Sequence, residues 1–224
     1  MSNSSVKSVL PSIPENDSAQ TAVDSLVREA EKDERHQSLD SWYYLILSYL
    51  SSSKFIFQEI KSKGLDDNRK LIIPALYNLK HTVEIILKYL CLSNKIDYDW
   101  SHDIEILIKQ LWETKKMRKE GKKLTKSKNP NEYQAFEDII NLSRKYATLE
   151  FLTPKFGAFL ISDGKNDLFR YPNGQTFIKR IDYNMFASNI ELADITNILE
   201  DVLLLEKDIE ILKDYFVSEN LEDY

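Results

Sequence analysis

Residues 71–90, L-I-I-P-A-L-Y-N-L-K-H-T-V-E-I-I-L-K-Y-L, decide how this chain folds. Leu76, Leu79, Val83, Ile86, Leu87 and Leu90 recur at helical spacing and cover most of the circumference. That pattern predicts a helix buried among neighbours rather than one lying on a surface. Yet Tyr77, His81, Glu84 and Lys88 follow one another at intervals of four, three and four residues. Such spacing stacks them in one polar stripe. A charge enclosed in an apolar bundle costs several kcal/mol unless it is paired, so the stripe is expected to face other polar groups or a cleft, with Glu84 matched by Lys88, Arg170 or a histidine.

Working outward from this helix, Asp66, Asp67 and Asn68 offer an N-cap, and the helix is expected over residues 68–93. Pro74 lies too far inside to be its first residue, so the helix is either kinked there or starts late. Upstream, Val23, Leu26, Val27 and Ala30 fall on one face of a modest helix over 21–35. Ser38 or Asp40 is placed to cap a second, aromatic-rich helix that runs to Lys63 and stops at Gly64.

Downstream, Ser101 is the expected cap of the next helix, with Asp103 in its first turn and Ile104, Leu107, Ile108 and Leu111 inward. A further helix is expected over 131–152, burying Phe136, Ile139, Ile140, Ser143 and Ala147. The last, over 184–219, carries Ile190, Ala193, Ile198, Val202, Leu205, Ile209 and Leu212. Between these two, residues 155–182 are short aromatic and β-branched runs separated by Gly, Asn and Pro, which reads as a β-hairpin-like excursion. The predicted fold class is therefore all-α, a helical bundle of five to six helices with one small β-like insertion before the last. A single domain is expected over 21–224, behind a disordered leader at 1–20 that is rich in Ser, Asn and Pro.

Composition agrees and excludes several function classes. Of 224 residues, 42% are hydrophobic and 29% charged, with Gly 5 and Pro 6, which favours long helices around a real core. A net charge of -6 argues against a general nucleic-acid glove, so any such contact needs a local basic patch. One such run spans 115–128: Lys115, Lys116, Arg118, Lys119, Lys122, Lys123, Lys126 and Lys128, against Glu120 alone. It reads either as a solvated helix end or as a phosphate-contacting patch; it lacks the interleaved aromatics that stack on bases. The single cysteine, Cys91, sits between Leu90 and Leu92, as suits a buried structural thiol in a reducing cytoplasm. No stretch is apolar enough for a membrane span. Neither phosphate loop nor dinucleotide fingerprint is present, and three scattered histidines with one cysteine indicate no metal site and no cofactor.

Several short motifs point one way together. Pro74, Lys80-His81, Glu84 and Lys88, then His102-Asp103-Ile104 opening the next helix, then Phe169-Arg170-Tyr171-Pro172 before the last, resemble the pattern of the HEPN superfamily of prokaryotic helical domains. These stretches cover about a quarter of the chain. The resemblance implies an all-α bundle, homodimers or larger protein complexes, and association with RNA, nucleotides or phage defence. Ribonucleases of that superfamily carry Arg with four to six residues between it and a catalytic His. Here those positions hold Glu29, Ala30 and Glu31 before His36; Pro74, Ala75 and Leu76 before His81; Lys95, Ile96 and Asp97 before His102. The motif is absent, and the nuclease activity does not carry over.

The polar stripe then has two readings. In one, Glu84 with Lys88, His102 and Arg170 pins the two helices and the 169–172 stretch together. In the other, Lys80, His81, Lys88, His102 and Arg170 surround an anion while Tyr77 or Tyr171 stacks on a base. His81 and His102 are the only candidates for acid–base work. Three functions follow: a nucleotide- or RNA-associated module of a defence or toxin-type system without that nuclease activity; a helical scaffold subunit; or a divergent ribonuclease using His81 or His102 with Arg170.

Overall fold

Gly64 ends the first helix with φ 94°, backbone that an L side chain rarely adopts. The structure, a computed structural model, describes residues 17–94, 96, 102–117, 124, 126–149, 151 and 183–222. Helix α1 occupies Asp17–Lys63 without the break expected near Ser38 and Asp40. The reason is local: residues 36–41, H-Q-S-L-D-S, contain neither Gly nor Pro. Ser and Asp weaken a helix by only about half a kcal/mol each, too little to interrupt it.

From Gly64 the chain takes one α-turn, Leu65–Asn68, and one 3-10 turn, Arg69–Leu71. Asn68 Nδ2 donates to the Gly64 carbonyl at 2.8 Å. Helix α2 is Ile72–Ser93. Of the two alternatives for Pro74, the late start is the one adopted: the ring falls in the first turn, where a missing N–H breaks no helical bond.

Helix α3 is Ile104–Met117. Its cap is Asp103, whose Oδ1 accepts from the amides of Glu105 at 3.0 Å and Ile106 at 3.3 Å. Ser101, the expected cap, lies outside the described residues. Helix α4, Pro130–Thr148, has Pro130 at its start and ends on Leu149 in left-handed backbone, φ 51°, with that amide donating to the Lys145 carbonyl at 2.9 Å.

The predicted final helix is two: α5, Tyr183–Ser188, and α6, Leu192–Glu222. Asp194 Oδ2 accepts from the Glu191 amide at 2.8 Å and begins a new helix there. Arg69 Nη1 donates to the carbonyls of Ala187 (2.9 Å), Ser188 (3.2 Å) and Ile190 (3.1 Å), which satisfies acceptors that the end of α5 leaves open. The predicted excursion at 155–182 lies outside the described residues. Of those described, 89% are helical and none is in a strand, so the fold is an all-α helical bundle.

By contacts the chain divides into Met1–Ser38 and Leu39–Tyr224. In the first unit, the described residues all belong to α1. The second holds the core. Helix α2 lies at its centre, with Ile72, Leu76, Leu79, Val83, Ile86, Leu87 and Leu90 fully buried. Helices α4 and α6 pack against each other. The inward residues predicted for α3 and α4 are all buried, as are those of α6 with one exception: Ala193 is exposed, and Ile195 takes the inward place. No helix among the described residues is long and apolar enough to cross a membrane.

Candidate functional site

Glu84 sits just past the middle of α2, on the side facing the start of α3, and its side chain is 1% exposed. A carboxylate so enclosed must be matched by donors. Lys88, one turn on, donates Nζ to Glu84 Oε1 at 2.7 Å. His102, in the approach to α3, brings Nδ1 to the same oxygen at 2.8 Å. His81, one turn back, places Nδ1 3.8 Å from Oε2, beyond hydrogen-bond reach. The polar stripe thus meets a histidine brought in by the α3 cap, as its spacing predicts.

Burial alone pushes the Glu84 carboxyl up. The contacts with His81, Lys88 and His102, together with the Lys88 charge, outweigh burial and hold it well below the usual carboxylate range. An ionised carboxylate only accepts, so the bond to His102 fixes the proton on Nδ1 and leaves Nε2 as the atom available to other groups. The His102 side chain is 47% exposed, the most open member of the cluster.

The aromatic surround is well defined. Tyr77 stacks on His81 with ring centroids 6.0 Å apart and planes at 9°. Tyr49, from α1, meets the same imidazole edge-on at 5.0 Å and 86°. His81 Nδ1 is enclosed and makes no hydrogen bond among the described residues.

The predicted residues therefore divide. Tyr77, His81, Glu84, Lys88 and His102 come together. Lys80 and Lys88, expected to reach phosphate oxygens, are both buried, because α2 is enclosed on nearly every side. Arg170 and Tyr171 lie outside the described residues. Within the basic run, Lys126 and Lys128 are exposed and Lys115 and Lys116 belong to the last turn of α3. Arg118, Lys119, Lys122 and Lys123 lie outside the described residues. No group of three or more His, Cys, Asp or Glu side chains is placed to hold a metal ion among the described residues. Cys91 is buried, and burial pushes its thiol up to about 12, which removes the thiolate needed for nucleophilic work.

Two polar features escaped the sequence reading. Tyr49 belongs to the site, and its only signal was that the apolar residues of α1 exceed one stripe. Between α4 and α6, Asp201 accepts from Lys145 Nζ and from the Tyr146 hydroxyl, the latter at 2.7 Å. Seven residues on, Asp208 is 2% exposed and its Oδ2 has no hydrogen-bond partner among the described residues.

Compared with known proteins, the chain matches no family model, no curated protein and no solved structure.

Proposed function

We propose that this chain is a HEPN-like helical protein, a nucleotide- or RNA-associated module of a prokaryotic defence or toxin-type system, working in the cytoplasm without the superfamily's ribonuclease chemistry. The observation that carries this reading is the half-exposed His102 ring, held at Nδ1 by the buried, ionised Glu84. A polar group so fixed, beside the Tyr77–His81 stack, suits recognition of a phosphate or a base edge. Exposed Lys126 and Lys128 supply cations for a phosphate backbone.

Burial of Lys80 and Lys88 favours a second reading, in which the cluster joins α2 to the start of α3 and the protein is a scaffold subunit. One experiment separates the two. Fluorescence anisotropy with labelled single-stranded RNA and with labelled nucleotide, at low and high salt, compares wild type with His102→Ala. Binding that weakens tenfold or more in the variant, with melting nearly unchanged, supports the module. Absence of binding to either probe supports the scaffold. Incubation of the double variant His81→Ala, His102→Ala with total RNA tests the ribonuclease alternative: cleavage that persists unchanged in the variant removes it.

A further inference from the structure

Residues 41–55 of α1, S-W-Y-Y-L-I-L-S-Y-L-S-S-S-K-F, hold one charged side chain, Lys54, in a chain that is 29% charged. Tyr44, Ser48, Ser51 and Phe55 follow one another at intervals of four, three and four residues, and all are exposed. Tyr44 is 67% and Phe55 63% exposed. Three helical turns separate the two rings, so they stand on nearly the same face about 16 Å apart. A helix face that meets only water usually carries charge, and an uncharged strip with exposed rings marks a contact surface.

What borders this strip selects its occupant. Helix α6 runs antiparallel beside α1. Lys54 Nζ donates to Glu206 Oε2 at 2.6 Å, and Lys213 Nζ lies 3.9 Å from Asp40 Oδ1 and 4.2 Å over the Tyr43 ring. Tyr43 and Lys54 thus face α6, and Tyr44 and Phe55, each one residue further, flank the seam on its solvent side. Along α6, Leu203, Glu206 and Glu210 share one stripe, with Asp214 a turn beyond. Leu203 is 48% exposed, and Glu210 and Asp214 are exposed too. Burial first, then the charges of Glu210, Asp214 and Glu206, push the Tyr43 hydroxyl up, so these carboxylates stand close to the aromatic end of the strip. Lys54 and Lys213 are engaged within the seam, whereas Glu210 and Asp214 make no hydrogen bond or ion pair among the described residues. Helix α6 as a whole carries nine acidic residues against two lysines.

A second copy would set this acidity against itself, and nucleic acid or an anionic bilayer would meet the same repulsion. A cationic partner is drawn to it. Two helices side by side offer a straight track, which suits another helix. We propose that the solvent side of the α1–α6 seam, from Tyr44 to Phe55, docks a helix of a partner protein that carries an apolar face bordered by Lys or Arg. Tyr44, Phe55 and Leu203 receive the apolar face, and Glu210 and Asp214 pair with the basic border. This surface does not depend on what the Glu84 cluster binds.

The test is fluorescence anisotropy of the full chain with a labelled helical peptide of about 15 residues, leucines on one face and lysines bordering them. Two peptides serve as controls: one with glutamates in place of the lysines, and one of lysine and serine that lacks the apolar face. The leucine–lysine peptide is expected to bind with a micromolar Kd and to weaken as salt rises. Both controls are expected to bind at least about tenfold more weakly. Tyr44→Ser, Phe55→Ser and Glu210→Lys should each weaken the leucine–lysine peptide by about tenfold. All three positions are exposed, so the variants should melt within a few degrees of wild type. Absence of binding up to about 500 µM peptide overturns the proposal. So does binding that Tyr44→Ser and Phe55→Ser leave intact, since diffuse charge then accounts for it. Self-association of wild type in sedimentation velocity that Phe55→Ser abolishes also overturns it, because a second copy is then the occupant.

Discussion

Glu84 Oε1 lies 2.8 Å from His102 Nδ1, across a sequence separation of 18 residues, and the same oxygen accepts from Lys88 at 2.7 Å. One atom thereby joins the middle of α2 to the cap of α3. The expected consequence of Glu84→Gln is severe: Lys88 stays buried without its counter-charge, a loss on the order of 3–5 kcal/mol. For a chain of this size that lowers Tm by about 10 °C, as read by circular dichroism. His102→Ala removes one charged hydrogen bond at a half-exposed ring and should cost only about 1–2 kcal/mol. The folded carboxyl titrates below its ordinary value of 4.5, so its contribution is present above that pH and fades as pH falls through the depressed value. The gap between wild type and Glu84→Gln should narrow in acid. A constant gap from pH 7 to pH 3 would contradict the ion cluster.

Asp208 behaves in the opposite sense. Burial first, and the nearby Asp138 charge second, push its carboxyl from 3.8 up to about 6, with Lys207 opposing weakly. The folded chain therefore binds this proton more tightly than the unfolded chain does. Stability falls as pH rises from about 4 to about 6 and is level above, by on the order of 2–3 kcal/mol in all. Urea unfolding of Asp208→Asn should show a flatter pH profile across that window and greater stability at pH 7. Parallel profiles for the two proteins would sink this assignment.

Arg69 makes three hydrogen bonds to carbonyls at the end of α5 and beyond, at Ala187, Ser188 and Ile190. Loss of these in Arg69→Ala is expected to cost about 2–3 kcal/mol in urea unfolding. Arg69→Lys should recover less than half, because an ammonium keeps the charge but not the planar fork. Equal stability of the two variants and wild type would show that the clamp contributes nothing.

At Gly64, an added Cβ meets nothing within 4 Å, so any penalty for substitution comes from the positive φ alone. With φ 94° and ψ 149°, Gly64 lies outside the left-handed helical region, in backbone open essentially to Gly alone, so Gly64→Ala and Gly64→Asn should each destabilise by about 1–3 kcal/mol in urea unfolding. Wild-type stability in both variants would show that the positive φ carries no penalty.

What the sequence made legible was whatever depends on short-range periodicity. The buried faces of α2, α3 and α4 follow from apolar spacing, and the end of α1 from Gly64. The meeting of Tyr77, His81, Glu84 and Lys88 with His102 was legible because a polar stripe on an enclosed helix demands a partner, and the nearest capped helix start carries one. The continuous α1 was not, because Ser38 and Asp40 are good caps but weak breakers. Nor was the gap between α5 and α6: residues 189–191, N-I-E, contain no Gly or Pro, and the bonds that stabilise the interruption come from Asp194 and from Arg69, more than a hundred residues upstream. Burial of Lys80 was hidden for a related reason, since a lysine in an apolar helix reads as solvent-seeking until its neighbours are placed.

The Arg69 clamp also orders events in time. During synthesis the guanidinium leaves the ribosome well before the carbonyls it grips, which lie 118 to 121 residues further along. Until those arrive, Nη1 of Arg69 lacks the three acceptors it has in the whole chain, while Nε and Nη2 can already meet Asp66. Closure of this joint therefore belongs among the last steps of maturation, and a truncated product lacking α5 is left with a loose seam where the whole chain has a latch.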